Sequence, residues 1–231
     1  MPAKWDGPMI GRIELGPDKL GATPNTQGFG APRTFGDPPD TISHGTLAGY
    51  NPNRVTPIGD LTSEKQGTGA RDNAGKTPAE LLPYTAVAQL LPAHKNEPVR
   101  DAVFALGAFQ AGEDTALEDI MQAVARAAGI TLRELVASAA EVFQYGMNKY
   151  KAWNWAKGMP YSVAMACIYR HLLGDPATGK EGMWDDPKGL DAESGKPHYG
   201  HVACNVLMLQ QWLGTYREGD DRSEHLRRAV F

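Results

Sequence analysis

HYGHVACNVLMLQQWL (residues 198–213) decides the fold. Pro197 stands at its head and Gly214 at its end, where proline opens and glycine closes a helix. Its faces carry Val202, Ala203, Cys204, Val206, Leu207 and Leu209, and a helix apolar on nearly every side is a central one. His198, His201 and Asn205 fall at i, i+3 and i+7, so the residues that break the apolar pattern share one stripe. A buried polar group is costly unless it finds a partner, so this stripe faces other protein or a ligand.

The rest of the helical signal begins after Gly69. TPAELLPYTAVAQLL predicts a helix over about 78–91, with Pro83 as an interruption, and PAHKNEP breaks the chain before a second, short helix in VRDAVFALGAFQ. Asp114 or Thr115 can cap ALEDIMQAVARAA, which ends at Gly129. Thr131 and Glu134 form a capping box ahead of LRELVASAAEVFQYGMNKY, the longest helix. Ser162 can cap VAMACIYRHLL, stopped by Gly174. No β-type alternation of useful length occurs, so the expected class is all-α: a compact bundle of about five to six helices. Residues 1–69 hold nine of the 17 prolines with no hydrophobic period, and read as a long, irregular Gly/Pro-rich N-terminal arm. The helical domain is expected over 70–216 and a solvated, mixed-charge tail over 217–231.

Two further helices carry polar residues into apolar surroundings. Glu141 shares a face of the longest helix with Gln144, Tyr145 and Asn148, and Arg170 and His171 interrupt SVAMACIYRHLL. The loop LDAESGKPH places Asp191 and Glu193 just ahead of His198; it can supply oxygen ligands or serve simply as a turn into the helix. Histidines with carboxylates suit a divalent transition metal, whereas Mg²⁺ prefers oxygens. Between Glu141 and Asp175 there is no acidic residue, while Lys149, Lys151, Lys157, Arg170, Tyr150, Trp153, Trp155 and Tyr161 all lie there. Such a stretch can seat phosphates and a stacked base, or be a solvated basic surface.

Composition excludes several classes. A net charge of −4 does not suit a general nucleic-acid binder. No apolar run approaches the roughly 18 residues of a membrane helix, and the first residues lack an apolar signal core. Cytosolic placement is therefore expected. Cys167 and Cys204 lie within apolar helices and read as free buried thiols.

The strings DNAGKTPAELLPYTAVAQL, EVFQYGMNKYKAWNW, RHLL and LDAESGKPHYGHVACNVLML together resemble a phage and bacterial family, the dATP/dGTP diphosphohydrolase N-terminal-like proteins. That family is similar in helical character to the all-α nucleoside triphosphate pyrophosphatases of the MazG type. The resemblance covers about 71–91 and 138–213, leaving 92–137 as an apparent insertion. It implies hydrolysis of a deoxynucleoside triphosphate to the monophosphate and pyrophosphate, with Mg²⁺ or Mn²⁺. On this reading Glu141, His171 and His198 are catalytic, and Glu141, Asp191, His198 and His201 are the metal ligands. Lys149, Tyr150, Asn154, Trp155, Arg170 and Asn205 would bind substrate. MazG-type enzymes hold Mg²⁺ with paired acids, ExxE and ExxD. Here Gln144 stands where the second acid of the first pair belongs, and His198 and His201 have the spacing of the other. The resemblance also implies a homo-oligomer, in a host cytoplasm if phage-encoded; a larger assembly or virion is the expectation that the arm adds. A rival expectation is a structural protein whose arm straps neighbouring subunits over a pyrophosphatase-like scaffold.

Overall fold

The computed structural model describes residues 59–73 and 75–226, so residues 1–58 of the expected arm lie outside it. Six α-helices make up the bundle: α1 (Tyr84–Leu90), α2 (Glu97–Gln110), α3 (Ala116–Ala128), α4 (Leu132–Tyr150), α5 (Tyr161–Leu173) and α6 (His198–Thr215). Short 3₁₀ turns occur at Ala79–Leu81, Asn154–Lys157 and Arg217–Gly219, and no strand forms among the described residues. The all-α expectation holds.

Helix α6 is the centre, as its composition demands. It packs against α3, α4 and α5, and buries Val202, Ala203, Val206, Leu209 and Trp212. Trp212 is fully buried and donates its indole N–H to the Trp155 carbonyl at 3.0 Å, which fixes the turn after α4 to the core. Leu106, Ile120, Leu135, Ile168 and Leu172 complete the interior, each contributing about 1.5–3 kcal/mol by leaving water. Helices α2 and α3, in the segment expected as an insertion, belong to this same core.

Local chemistry sets most helix ends. Thr131 and Glu134 form the capping box expected at α4, and Gly129 ends α3 in the left-handed conformation at φ 64°. Pro83 does more than disturb the first expected helix: a 3₁₀ turn ends before it and α1 begins after it. Helix α5 starts at Tyr161, after Pro160, so Ser162 lies inside the helix. Its backbone N–H and hydroxyl both donate to the Asp221 carboxylate. Nor is the segment after α6 simply a solvated tail. Arg222 is 5% exposed, lies over the Phe109 ring, donates to the Phe109 carbonyl and pairs with Asp114 and Asp220.

Two helix contacts depend on glycine. A Cβ on Gly107 of α2 would lie 2.5 Å from the Thr85 backbone nitrogen of α1, and one on Gly200 of α6 would lie 2.5 Å from Ser138 Oγ of α4. Gly107→Ala must therefore push α1 off the bundle or distort α2. A loss of about 1–3 kcal/mol in urea unfolding is expected; wild-type stability in this variant would show that the two helices do not approach so closely.

Candidate functional site

The connection between α5 and α6 brings the polar groups together. It folds back on α5 through Met183 N–H to the His171 carbonyl (3.0 Å) and Trp184 N–H to the Leu172 carbonyl (2.7 Å). Antiparallel bridges Asp175–Lys180 and Leu190–Pro197 close its two ends. Within the second, Asp191 Oδ2 accepts the Ser194 N–H at 2.9 Å, an Asx-type turn that holds the carboxylate over the start of α6.

His171, Asp191 and His198 converge there, with one potential ligand atom from each lying within 4.8 Å of the others. The Nδ1 atoms of His171 and His198 are 3.1 Å apart. Two nitrogens bound to one ion at about 2.1 Å and roughly 90–100° would be separated by this much. The donor set of two imidazoles and a carboxylate fits a divalent transition metal. His201 stacks on His171 with ring centroids 4.3 Å apart, while its Nε2 hydrogen-bonds with Ser194 Oγ at 2.7 Å and lies 3.9 Å from Asp191 Oδ2. It thus supports the cluster from behind, its Nε2 already partnered. Burial drives His201 down to about 4, against the Asp191 charge. Burial first, then the neighbouring imidazoles, places His171 well below the ordinary histidine value, and burial lowers His198 too. All three rings are neutral at pH 7, the form that ligates metal.

This cluster lies in the wall of a cavity of about 570 Å³ bounded by α4, α5, α6 and the chain around residues 70–76. Lys149, Tyr150, Asn154, Trp155, Arg170 and Asn205, the six expected substrate contacts, all line it. Their chemistry differs from one to the next. Asn154 spends its amide on the chain: Oδ1 accepts the Ala70 N–H at 3.0 Å and Nδ2 donates to the Ala70 carbonyl at 2.9 Å. The Tyr150 hydroxyl accepts the Asp72 N–H. Asn205, a residue of the cavity wall, donates to the His201 carbonyl at 2.7 Å, while its Oδ1 is buried with no hydrogen-bond partner among the described residues. Trp155 packs against Phe143, centroids 5.1 Å apart, beside the exposed Trp153, giving the cavity an aromatic side.

Glu141 does not join this group. Its side chain is 57% exposed, pairs with Lys196 at 2.8 Å and does not line the cavity, because the narrow buried stripe of α4 runs through Leu135, Ala139 and Val142. Of the two carboxylate ligands expected, Asp191 stands at the histidine cluster and Glu141 does not. Sequence reasoning also missed Arg71, Lys76 and Lys180, which line the cavity from loops where no period exists to reveal them. Glu193 ties two walls together, accepting from Lys149 at 2.6 Å and Lys180 at 3.5 Å. Burial opposes the Lys149 charge, but the Glu193 pair outweighs it and raises the ammonium above the ordinary lysine value.

Residues 121–222 match the family model described as dATP/dGTP diphosphohydrolase, N-terminal. The match begins within α3 and takes in α4, α5, the ligand-bearing connection and α6. No curated protein and no solved structure matches the chain. None of the helices in the described residues is long and apolar enough to cross a membrane.

The histidine shifts fix a sign for stability against pH. Folded values below the unfolded 6.5 mean that the unfolded chain binds more protons under that pH, so stability is complete above about 6.5 and falls on acidification. For His201 alone, whose folded value is about 4, the loss approaches roughly 3 kcal/mol by pH 4. In chelator, the urea midpoint should drop steadily from pH 7 to pH 4.5, less so in His201→Gln. A flat profile across that window would contradict the buried, neutral cluster.

Proposed function

We propose, from the premise that residues 121–222 belong to the dATP/dGTP diphosphohydrolase N-terminal family, that the protein hydrolyses a purine deoxynucleoside triphosphate to the monophosphate and pyrophosphate. The observation that carries this reading is the convergence of His171, Asp191 and His198 on the wall of a cavity that is cationic on one side and aromatic on another. Mn²⁺ or a similar transition dication suits the two imidazoles better than Mg²⁺ does. When bound, such an ion would lower the pKa of a water molecule and offset charge on the triphosphate.

The chain's own groups supply the rest. Lys149 and Arg170 line the cavity and would hold phosphate oxygens, with substrate competing against Glu193 for Lys149. Trp155 and Phe143 offer a face for a purine ring, and Asn205 lies in the cavity wall beside it. His201, held by Ser194, keeps His171 in register by stacking. Asn154 serves by positioning Ala70 and its neighbours rather than by touching substrate. Glu141, outside the cavity, has no part in this scheme. The strapping-protein reading rests on an arm outside the described residues, and no observation here favours it.

The test is direct. Purified protein with dATP or dGTP and Mn²⁺ should release pyrophosphate, and His198→Ala should lower the rate at least about 100-fold while weakening Mn²⁺ binding measured by calorimetry. Absence of turnover with every nucleotide and metal would sink the proposal. Glu141→Gln should turn over as wild type does.

A further inference from the structure

Six cationic side chains line the cavity against four carboxylates, a formal surplus of two positive charges in a chain whose net charge is −4. The surplus is not evenly spread. Lys149 and Lys180 are paired with Glu193, and Lys180 also reaches Asp191. Arg71, Lys76 and Arg170 differ: among the described residues, none of the three has a carboxylate within ion-pair distance. Carboxylates at and beside the cavity wall are engaged elsewhere: Asp72 pairs with Lys149 at 3.8 Å. Asp175 accepts from the Thr77 N–H, the Thr77 hydroxyl and the Ala177 N–H, and Glu193 is held by its two lysines.

What these cations have instead of a carboxylate is a thiol. Arg170 Nη2 lies 3.2 Å from Cys167 Sγ, and the Arg71 guanidinium reaches the same sulfur. Although burial raises the Cys167 thiol, the charges of Arg71, Arg170 and Lys76 beside it outweigh that and hold the thiol below its ordinary value. A thiol is a weak acceptor and a poor counter-charge for three cations withdrawn from water.

The cations are also held in place before any ligand arrives. Arg170 is 7% exposed and donates to the Thr77 carbonyl at 2.9 Å and to Asn73 Oδ1 at 3.2 Å. Lys76 Nζ donates to the Asp72 carbonyl at 2.9 Å. The segment bearing Arg71 is fastened by the Asn154 amide to Ala70 and by Gly69 N–H to the Gly158 carbonyl at 2.9 Å. Donors fixed in advance lose little entropy on binding, so their arrangement favours affinity.

We infer that Arg71, Lys76 and Arg170 form a polyphosphate seat in the cavity beside the histidine cluster, with two of the three supplied by the segment ahead of the first helix. Arg71 and Lys76 lie outside residues 121–222, so the matched region alone does not contain the seat. The ligand class is a chain of phosphoryl groups, as a free polyphosphate or as the tail of a nucleotide. The seat deepens the nucleotide reading by naming where the phosphates rest, yet it can be tried without turnover.

The experiment is calorimetric titration of the full chain with inorganic tripolyphosphate in the presence of chelator. Wild type should bind, with affinity that falls as salt rises. Arg71→Gln and Lys76→Gln should each weaken binding about tenfold, whereas Arg71→Lys should retain most of it. If Arg71→Gln fails to fold, judged by its urea midpoint, Lys76→Gln and Arg71→Lys still decide. Unchanged affinity in Lys76→Gln and Arg71→Gln, or no binding by wild type, overturns the seat even if nucleotide is hydrolysed. Conversely, a wild-type protein that binds tripolyphosphate in this pattern but hydrolyses no nucleotide keeps the seat and loses the proposed reaction.

Discussion

Helix α6 is buried over most of its length from His198 to Leu209, and that single constraint organises the molecule. His198, His201 and Asn205 are 5%, 7% and 1% exposed, so none can turn to bulk water for its hydrogen bonds. Leaving a buried polar atom unmade costs about 1–3 kcal/mol, and three such residues together would use much of a domain's stability. The fold answers with partners from other elements: His171 of α5 meets His198, Ser194 of the connection meets His201, and the α6 backbone itself takes the Asn205 amide. One atom goes unanswered. Asn205 Oδ1 has no hydrogen-bond partner among the described residues, in a residue that borders the cavity.

The connection that answers α6 runs from residue 174 to residue 197 without a helix. Irregular segments longer than about 12–15 residues are uncommon in compact domains unless they serve a site. This one is not loose. Its bridges, its backbone bonds to the end of α5 and the Asx-type turn at Asp191 give the carboxylate a defined position. Glu193, two residues on, links the connection to α4 through Lys149 and to its own first bridge through Lys180. A carboxylate fixed by its own turn and a carboxylate paired to two lysines are thus carried two residues apart on one connection.

How much of this could be read from the residues depends on whether a period was present. The α6 stripe was legible because i, i+3 and i+7 on an otherwise apolar helix leaves one geometric answer. The capping box at Thr131 and the Gly129 stop were legible because their chemistry is local. Glu141 was misplaced for the complementary reason: α4 buries only Leu135, Ala139 and Val142, and a polar face beside so narrow a stripe can turn inward or outward. Its neighbour in space, Lys196, comes from a loop whose path no spacing rule gives. Arg71 was invisible on the same ground, its neighbours Ala70 and Gly69 being fastened by Asn154 and Gly158 from far along the chain, and Lys76 lies in the same aperiodic segment.

That long-range fastening links the two ends of the cavity. Lys151 and Trp153 both adopt positive φ, 79° and 61°, a conformation that costs non-glycine residues of order 1 kcal/mol each. The strained turn holds Trp153 exposed at the rim, next to Trp155. Immediately after it comes Asn154, whose amide grips Ala70, the residue preceding Arg71. Gly67 N–H and Gly69 N–H extend the grip to the Lys157 and Gly158 carbonyls, and a Cβ on Gly69 would approach the Gly158 oxygen to 2.6 Å. The aromatic side and the cationic side are therefore not independent features of the surface. They are carried by two short segments fastened to each other, so a displacement of the tryptophan turn moves Arg71 as well. The strain in that turn is tolerated because its hydrogen bonds over-determine it, and its consequence is a fixed distance between a stacking face and an anion seat.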